Sequence, residues 1–536
     1  MEWNYANVWE ALAGRIPDAP ALIHGSRVVS WREFDARAEA VARFLLGNGV
    51  TRQDKVALYL YNAPEYLEAS FAALKIGLVP VNTNYRYQLD ELIYLWDNAD
   101  AVAVVFHGGM TPTIEEIRTR LPKVRSWLWM DDGSRPRPDW AVPYHEVASA
   151  SGDRAEAPWG RRGSDLVMIY TGGTTGLPKG VMWRQHDLFR AFDTSGLVAC
   201  GSAQGIAARA YETEQRPVGL PACPLMHGTG FLFAIATLNQ GGAVVTLEGR
   251  SFDVEEFLDT IVRVGVTGTA IVGDAFCRPI VDALDAEPGR WDLSRLAMVA
   301  SAGVMWSAEV KERLLAHAPA TLLADLLGST EAHGMGTSVS HRGSEAKTAR
   351  FTLGENAFVI DDDGKPVEPG SGVVGRIAVK GLVPVGYYKD PEKTARTFVT
   401  IDGVRCSVPG DHATVDTDGT ITLLGRGSVC INTGGEKVFP EEVEEALKTH
   451  PGVQDATVVG VPDERFGQAI AAAVELRAGV AVEPGELVDH VKSRLAGYKT
   501  PRHVLFVDSV GRAPNGKADY AGVQRIVAER LARRLL

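Results

Sequence analysis

Short apolar runs separated by helical patterns fill most of the chain up to about residue 355, and they limit what it can fold into. Residues 56–60, 79–81 and 101–106 are each suited to one short buried strand. Between these runs, the stretch after Ser30 repeats apolar residues at helical spacing, and a second helix is expected after Pro64. Buried strands that alternate with helices are typical of largely parallel sheets. The sequence therefore predicts an α/β fold with layered sheets.

The pattern changes twice towards the C-terminus. The dipeptides at 363–364 and 418–419 are both Asp-Gly, a hairpin signal, and strand-like runs flank them. They predict a small antiparallel, β-barrel-like part that closes the large domain. After Gly425, two helical stretches and three strand-like runs predict a compact α+β unit. We therefore expect a large N-terminal domain at residues 1–425 and a small, mobile C-terminal domain at residues 426–536.

Composition narrows the class of protein. The chain has 536 residues with 45% hydrophobic and 23% charged residues, which are ordinary globular values. Acidic residues outnumber basic ones by 67 to 55, so the net charge of −12 argues against a nucleic-acid partner. The N-terminus lacks a basic signal region, and the longest apolar runs are too short for a transmembrane segment.

The five cysteines are scattered along the chain and form no CxxC pair. A disulfide scaffold or a zinc site is therefore not expected, and a reducing, cytoplasmic location fits this pattern. The sequence leaves open whether the chain works as a monomer or as a homodimer.

The most informative segment is a glycine- and threonine-rich loop at residues 170–180 that follows an apolar run. Glycines allow backbone N–H groups to approach an anion closely, threonine hydroxyls add donors, and a lysine adds a positive charge. The spacing differs from that of a Walker A loop. The loop therefore predicts a polyphosphate site, formed by Thr171, Gly172, Gly173, Thr174, Thr175, Gly176 and Lys179.

This loop resembles the signature of the AMP-forming adenylate superfamily, which includes acyl-CoA synthetases, peptide adenylation domains and luciferases. Six further motifs of that family occur in the same order along essentially the whole chain. They lie at residues 224–228, 301–305, 328–331, 410–411, 425–426 and 514–517.

The resemblance implies a reaction in two steps that uses ATP, Mg²⁺ and coenzyme A. A carboxylate first attacks the α-phosphorus of ATP to give acyl-AMP, and a thiol then displaces AMP. The resemblance assigns the β- and γ-phosphates to residues 171–176 and Lys179, and the α-phosphate to Thr330. Glu331 is expected to hold Mg²⁺.

The family motifs also imply the nucleoside contacts. Asp411 is expected to accept hydrogen bonds from both ribose hydroxyls, and Arg426 either supports the ribose or pairs with acids between the domains. Asp325, Leu326 and Leu327 are expected to border the adenine. The family usually has an aromatic residue at the position of Leu327, so an aliphatic face is expected here.

On the acyl side, the resemblance places His227 beside the substrate carboxylate, in an orienting role more than an acid–base role. Gly228, Gly303 and Met305 are expected to border the acyl group, and Gly303 and Val304 also border the nucleotide. Small or flexible apolar residues around these positions suggest a hydrophobic acid of medium or greater size.

The small domain carries the residues expected to separate the two steps. Lys517 is expected to reach the α-phosphate and the carboxylate during adenylation. Ser428, where the family commonly has Asp or Lys, is the expected hinge, and Gly434 and Gly435 are expected to line the path of the CoA thiol. The segment 425–437 resembles actinobacterial CoA ligases for fatty acids and steroid side chains.

The sequence thus predicts an AMP-forming acid:CoA ligase for a hydrophobic acid, such as a medium- or long-chain fatty acid or a steroid side-chain acid. An adenylation enzyme that loads a carrier protein or another acceptor is the alternative. A luciferase-like oxidase also fits the motifs. A nucleotide-binding protein without chemistry is disfavoured, because Glu331 and Lys517 are both present.

Overall fold

The computed structural model describes residues 2–173, 176–426, 429–433, 436–463, 467–495, 497–513 and 516–534. Ser428, Gly434, Gly435, Thr174 and Thr175 therefore lie outside the described residues.

The α-helices are numbered in chain order. They are α1 (Tyr5–Arg15), α2 (Trp31–Gly47), α3 (Pro64–Lys75), α4 (Leu89–Asn98), α5 (Thr111–Ile117), α6 (Tyr144–Ala148), α7 (Gln185–Ala191), α8 (Ala203–Glu212), α9 (Gly228–Asn239), α10 (Val254–Val264), α11 (Gly273–Ala286), α12 (Ala308–His317), α13 (Pro391–Thr397), α14 (Pro440–Lys448), α15 (Pro484–Lys492) and α16 (Tyr520–Arg534).

The strands are numbered in the same way. They are β1 (Pro20–His24), β2 (Arg27–Ser30), β3 (Lys55–Tyr59), β4 (Val79–Asn82), β5 (Ala101–His107), β6 (Ser126–Met130), β7 (Val142–Pro143), β8 (Leu166–Gly173), β9 (Gly176–Arg184), β10 (Val218–Pro221), β11 (Ala243–Thr246), β12 (Gly268–Ile271), β13 (Met298–Ala302), β14 (Leu322–Ser329), β15 (Ala332–Ser340), β16 (Arg350–Leu353), β17 (Ala357–Ile360), β18 (Gly375–Lys380), β19 (Gly386–Tyr387), β20 (Phe398–Ile401), β21 (Val404–Ser407), β22 (Asp411–Val415), β23 (Ile421–Arg426), β24 (Ile431–Thr433), β25 (Glu436–Val438), β26 (Val453–Asp463), β27 (Gly467–Leu476) and β28 (His503–Phe506).

Local sequence signals explain where several of these helices begin and end. The Ser30 hydroxyl accepts a hydrogen bond from the Glu33 amide and so caps the start of α2, as the sequence predicts. Helix α2 ends at Gly47. Helix α3 starts at Pro64, whose fixed φ suits the first helical turn. These starts follow from local sequence because capping uses residues close in the chain.

Two sheets form the layers of the large domain. One follows the order β19-β9-β8-β4-β3-β5-β6-β7, with parallel pairing from β8 to β7 and antiparallel pairing of β8, β9 and β19. The other begins β2-β1-β11-β10-β12-β13-β14-β15, and its strands from β1 to β14 run parallel. This confirms the predicted α/β class.

The predicted antiparallel part continues the second sheet. Strand β15 pairs with β16, and the path then runs β23-β22-β18-β21-β20, with β17 beside β18. Strands β22 and β23 form the hairpin that Asp418-Gly419 predicts, with antiparallel pairing from Asp411 to Val415. Its small core is centred on Ile377, Ala413 and Ile421, all fully buried.

The C-terminal unit has a separate five-stranded sheet in the order β25-β24-β27-β26, with β28 parallel to β27. Helices α14 and α15 contribute Val443, Leu447, Leu487 and Val491 to its core. Helix α15 begins at Pro484, where the fixed φ of proline suits the first helical turn, and its buried residues Leu487 and Val491 follow. The predicted boundary between residues 425 and 426 lies one residue before the end of β23 and stays a prediction.

Candidate active site

Most of the predicted phosphate loop lies in two antiparallel strands. Strands β8 and β9 pair Thr171 with Lys179, and Gly173 with Gly176. The strand therefore continues through Gly172 and Gly173, beyond the apolar run that predicts it. Because β8 is flanked by β4 and β9, the hairpin projects from the middle of a sheet and not from its edge.

Lys179 on this hairpin forms an ion pair with Asp390, more than two hundred residues away in the chain. Asp390 also caps helix α13 by accepting a hydrogen bond from the Lys393 amide at 2.9 Å. The hydrogen bond from Lys179 is the main cause that holds the pKa of Asp390 below its usual range. The ammonium expected to bind phosphate is thus held beside the hairpin by a neighbouring carboxylate.

Thr330 and Glu331 form the turn between β14 and β15. The indole of Trp183, on strand β9, donates a hydrogen bond to the Thr330 carbonyl at 2.8 Å. The hydroxyl of Tyr387 donates to Glu331 Oε1 at 2.7 Å. Since Trp183 lies on the return strand of the phosphate hairpin and Tyr387 on its neighbour β19, the turn is fixed against that hairpin.

The chemistry of this turn fits a magnesium ion that arrives with ATP. The described residues contain no group of three or more His, Cys, Asp or Glu side chains that could form a metal cage. Mg²⁺ is usually held by one or two carboxylates together with substrate phosphates, and Glu331 is a single carboxylate, 7% exposed, beside the phosphate hairpin.

His227 is the residue immediately before α9, and its neighbour Gly228 lies close to the same turn. A β-carbon placed on Gly228 would be 3.6 Å from Thr330 Oγ1. Loss of solvation lowers the pKa of His227 to about 4, and the nearby cations Lys517 and Arg86 act in the same direction. The imidazole is therefore neutral at pH 7.

Two asparagines fix the segment that leads to His227. Asn82 accepts a hydrogen bond from the Tyr170 amide at 2.7 Å and donates to the carbonyls of Tyr170 and Met226 at 2.9 and 2.6 Å. Asn62 accepts from the Leu225 amide at 2.7 Å. Asn82 thus joins the phosphate-loop strand to the segment before His227.

The loop after β13 carries Gly303, Val304 and Met305. Gly303 has φ +91°, a backbone conformation that favours glycine. The carbonyls of Val304 and Met305 lie so close to Gly273 that a side chain there would collide with them. The loop is therefore packed directly on the start of α11.

Asp325 has a partner that the sequence did not predict. Lys311 Nζ lies 2.9 Å from Asp325 Oδ2, and both side chains are almost completely buried. Burial raises the pKa of Asp325 to about 6, although the ammonium opposes this shift. Lys311 thus engages this carboxylate, and the adenine contacts of Asp325, Leu326 and Leu327 stay predictions. Leu327 is partly buried and packs against the core of the antiparallel part.

Asp411 and Arg426, the two predicted ribose contacts, face each other across a strand pair. They are register partners at the open end of the β22–β23 hairpin. Asp411 is 8% exposed and follows Gly410, which has φ +101°. The strand pairing brings these distant motif residues together; the side chain of Arg426 lies outside the described residues.

Lys517 reaches the same region from the small domain. Its Cε lies 3.9 Å from the position of a β-carbon on Gly303. The preceding Gly516, at φ +74°, packs on Val272 and Ala275 of the large domain. The structure thus brings Lys517 close to Gly303 and within electrostatic reach of His227, whose neighbour Gly228 lies near Thr330.

A small, largely apolar cavity adjoins His227. Its walls are mostly aliphatic and aromatic side chains, and its volume of about 10 Å³ has room for about one water molecule. Its lining residues are Leu58, Tyr66, Pro80, Asn82, Met168, Ile169, Leu225, Met226, His227 and Phe231.

Sequence reasoning missed Asn82, Trp183, Lys311, Tyr387 and Asp390. Asn82 stands at the end of a short apolar run, and Tyr387 and Tyr388 follow a glycine. Neither position in the sequence indicates which residue the side chain would hydrogen-bond. Their contacts depend on which strands become neighbours. In the part of the chain that the structure describes, no helix combines the length and apolar character needed to cross a membrane.

Comparisons with known proteins agree with this geometry. Residues 9–388 match the AMP-binding enzyme family, and residues 442–517 match the AMP-binding enzyme C-terminal domain. A medium/long-chain-fatty-acid–CoA/3-oxocholest-4-en-26-oate–CoA ligase of Mycolicibacterium smegmatis is 40% identical over 99% of this chain and 98% of its own. The 3-oxocholest-4-en-26-oate–CoA ligase of Rhodococcus rhodochrous is 39% identical over 97% of this chain and 95% of its own.

Solved structures share the fold over almost the whole length. The anthranilate CoA ligase AuaEII, in complex with anthranoyl-AMP, has a TM-score of 0.83 at 23% identity and covers 99% of this chain and 98% of its own. ATP-bound MatB from Rhodopseudomonas palustris has a TM-score of 0.79 at 26% identity, with 98% and 99% covered. With both domains matched in order, this chain belongs to the AMP-binding enzyme family.

Proposed function

We propose that the protein is an ATP-dependent, AMP-forming carboxylic acid:CoA ligase. The observation that carries this proposal is the position of Lys517, which comes from the small domain, lies against Gly303 and is close enough to His227 to lower its pKa. A cation near a neutral imidazole suits the attack of a carboxylate on a phosphate. The names of the relatives with about 40% identity support CoA as the acyl acceptor.

In the first step, a substrate carboxylate oxygen attacks the α-phosphorus of ATP. The bond from that phosphorus to the β-bridging oxygen breaks, and pyrophosphate leaves. Negative charge develops around the phosphorus, so fixed donors and cations contribute most of the rate enhancement. We assign Thr330 and Lys517 to the α-phosphate, and residues 171–176 with Lys179 to the β- and γ-phosphates.

His227 orients the substrate carboxylate in this scheme. Because its pKa is lowered to about 4, the imidazole is uncharged at neutral pH and can donate a single hydrogen bond without adding charge. This property favours orientation over proton transfer, since a base of such low pKa is weak at pH 7.

Glu331 is the residue that we assign to Mg²⁺. When bound with ATP, the ion neutralises charge on the phosphate oxygens. Asp411 and Arg426 are assigned to the ribose, and the backbone around Leu326 to the adenine edge. The 2.7 Å hydrogen bond from Tyr387 gives the Glu331 carboxylate a defined orientation before ATP binds.

In the second step, the CoA thiolate attacks the acyl carbon, the bond from that carbon to the AMP oxygen breaks, and the thiol proton passes to water. We infer that the small domain turns about residues 427–428 between the steps. Lys517 and the predicted thiol path at Gly434 and Gly435 are about 80 residues apart in the same domain, so both need not face the site together.

The acid that we propose is apolar, either a medium- or long-chain fatty acid or a steroid side-chain acid. The names of the two bacterial relatives support this class, since both are named for such acids. Each CH₂ group buried in a pocket contributes about 0.8 kcal/mol at most, so catalytic efficiency is expected to rise with tail length until the pocket is filled.

The test is a product analysis with ATP, CoA and a panel of short, long, aryl and steroid acids. AMP, pyrophosphate and an acyl-CoA are the expected products, with kcat/KM highest for a long or polycyclic acid. ADP with phosphate would sink the proposal. Acyl-AMP without acyl-CoA would favour the alternative, in which a carrier protein or another acceptor takes the acyl group.

A further inference from the structure

Tyr387 lies beside the predicted magnesium residue but belongs to none of the motifs that identify the site. Its hydroxyl donates a hydrogen bond of 2.7 Å to Glu331 Oε1. The side chains are almost fully buried, with Tyr387 4% and Glu331 7% exposed. We propose that Tyr387 is a positioning residue, which holds the Glu331 carboxylate in the orientation that receives Mg²⁺–ATP. This inference rests on the role proposed above for Glu331.

The surroundings of Glu331 make this hydrogen bond important. None of the ion pairs within the described residues includes Glu331, and the Tyr387 hydroxyl is a neutral donor to its Oε1. A carboxylate has two oxygens with about four lone-pair sites, and one hydroxyl occupies a single site. Tyr387 can therefore fix the side chain without neutralising the charge that a hard cation requires.

Tyr387 is itself held rigidly. Strand β19 pairs it with Val181 on the return strand of the phosphate hairpin. Its amide donates a hydrogen bond of 2.9 Å to Thr394 Oγ1, and its ring packs against Phe398 with 5.7 Å between the ring centres. A donor fixed by backbone pairing and packing loses little further freedom when it holds a carboxylate.

The same short segment reaches the other phosphate-side residue. Asp390, three residues after Tyr387, forms the ion pair with Lys179. Tyr387 and Asp390 therefore contact Glu331 and Lys179, two residues that we assign to the same Mg²⁺–ATP. Two contacts from one short segment support a positioning role for Tyr387.

The neighbouring Tyr388 provides a matched control. Its hydroxyl donates to Asp100 Oδ2 at 2.8 Å and accepts from Lys55 Nζ at 3.1 Å. It is thus a tyrosine of the same segment with a carboxylate partner that has no role in the proposed reaction. Tyr388→Phe removes a similar hydrogen bond at a distance from Glu331.

The first experiment measures ATP binding by calorimetry, with Mg²⁺ and with EDTA. Tyr387→Phe keeps the buried ring and removes only the hydroxyl. Because hydrogen bonds to charged groups are stronger than neutral ones, we expect a loss of about tenfold in Mg²⁺-dependent ATP affinity. Binding in EDTA should change little, and Tyr388→Phe should match the wild type under both conditions.

A double-mutant cycle separates this role from a structural one. If Tyr387 acts through the Glu331 carboxylate, Tyr387→Phe should add little to the loss in a Glu331→Gln background. The thermal midpoint of each variant without nucleotide reports any general damage to the fold. An equal loss of ATP affinity in EDTA, or a full additional loss in the Glu331→Gln background, overturns the inference.

Single-turnover kinetics give a second readout. Tyr387→Phe should slow acyl-AMP formation from ATP and acid, while CoA attack on supplied acyl-AMP stays near the wild-type rate. Equal losses in both steps overturn the positioning role. If Tyr387→Phe lowers ATP affinity only with Mg²⁺ present, but the wild type activates no acid, the proposed function fails while this inference stands.

Discussion

Gly516 of the small domain packs directly on Ala275 of the large one: a β-carbon on Gly516 would lie 2.9 Å from the Ala275 β-carbon. Gly516 also has φ +74°, a backbone conformation that residues other than glycine rarely adopt. This contact immediately precedes Lys517. We therefore expect the close approach of Gly516 to Ala275 to control whether the lysine reaches the Gly303 loop.

Gly516→Ala should impair adenylation more than thioester formation. The added methyl group collides with Ala275 and strains the loop, so the small domain docks less often in this orientation. We expect acyl-AMP formation to fall by about tenfold or more, since misplacing a reacting group by about 1 Å can cost a hundredfold. Single-turnover assays of the two half-reactions measure this split.

Ala275→Gly in the same protein gives the matched control. It removes the colliding methyl group and should restore part of the adenylation rate, although the strained φ at residue 516 remains. No recovery in the double variant would show that the loop conformation, and not the contact with Ala275, controls the rate.

Lys517→Ala should cripple acyl-AMP formation and spare CoA attack on supplied acyl-AMP. The lysine lies beside the Gly303 loop and is close enough to lower the pKa of His227, so its charge is felt where the carboxylate would bind. Removing a group that stabilises developing charge typically costs about 10²-fold or more. Rapid-quench measurement of each half-reaction tests this division.

Lys499→Ala is the control for Lys517, because it also removes a small-domain lysine. Its ammonium pairs with Glu442 within the small domain, 2.5 Å away. Adenylation should stay near the wild-type rate in this variant. A loss as large as that of Lys517→Ala would point to a general effect of charge on the small domain.

Asn82→Ala should weaken both the fold and the use of ATP. The variant leaves the Tyr170 amide and the carbonyls of Tyr170 and Met226 without their side-chain partner. We expect a loss of about 2 kcal/mol in unfolding free energy, the usual cost of an unsatisfied buried group, and a higher KM for ATP. Urea unfolding and steady-state kinetics measure the two effects.

Asn62→Ala tests whether the link to the phosphate strand matters. Asn62 contacts the same segment at Cys223 and Leu225 but does not reach Tyr170. Its variant should lose stability while the KM for ATP stays close to that of the wild type. The same rise in KM for both variants would contradict a specific role of Asn82 in aligning the phosphate hairpin.

The stability of the protein should fall as the pH drops from about 6.5 to 4, in part because of His107. Burial is the largest cause that lowers the pKa of this histidine to about 4. The unfolded chain binds a proton near its ordinary pKa of about 6.5, whereas the folded protein does not bind it until about pH 4. The contribution of His107 to the free energy of unfolding is therefore fully present above pH 6.5 and is lost as the pH falls towards 4.

His107→Asn isolates that contribution. The Asn side chain can replace Nδ1 as the acceptor for the Tyr61 amide, which now donates at 3.2 Å. Between pH 6.5 and 4, unfolding of the variant should take up about one proton fewer than unfolding of the wild type. The slope of unfolding free energy against pH measures this difference. Identical slopes for the variant and the wild type would show that His107 does not titrate in this way.

Tertiary contacts added partners to two motif residues. The motif order predicts Asp325 beside the adenine, and the structure adds that its carboxylate is buried against Lys311. The glycine-rich loop predicts a phosphate site, and the structure adds that Lys179 is restrained by Asp390. In both cases the sequence identifies the residue, but the partner lies on an element whose position a local pattern does not specify.

The sequence by itself determined the α/β class, the starts of helices such as α2 and α3, and the order of the family motifs, and it predicts the two-domain organisation. These follow from periodicity, capping and short spacings, which depend on neighbours in the chain. Only the tertiary structure decided that Tyr387 holds Glu331, that Asn82 joins the phosphate strand to the segment before His227, and that Gly516 docks on Ala275. These contacts depend on which strands and loops become neighbours after folding, and a hydrogen bond or close contact needs a match of a few tenths of an ångström that residue type and spacing do not specify.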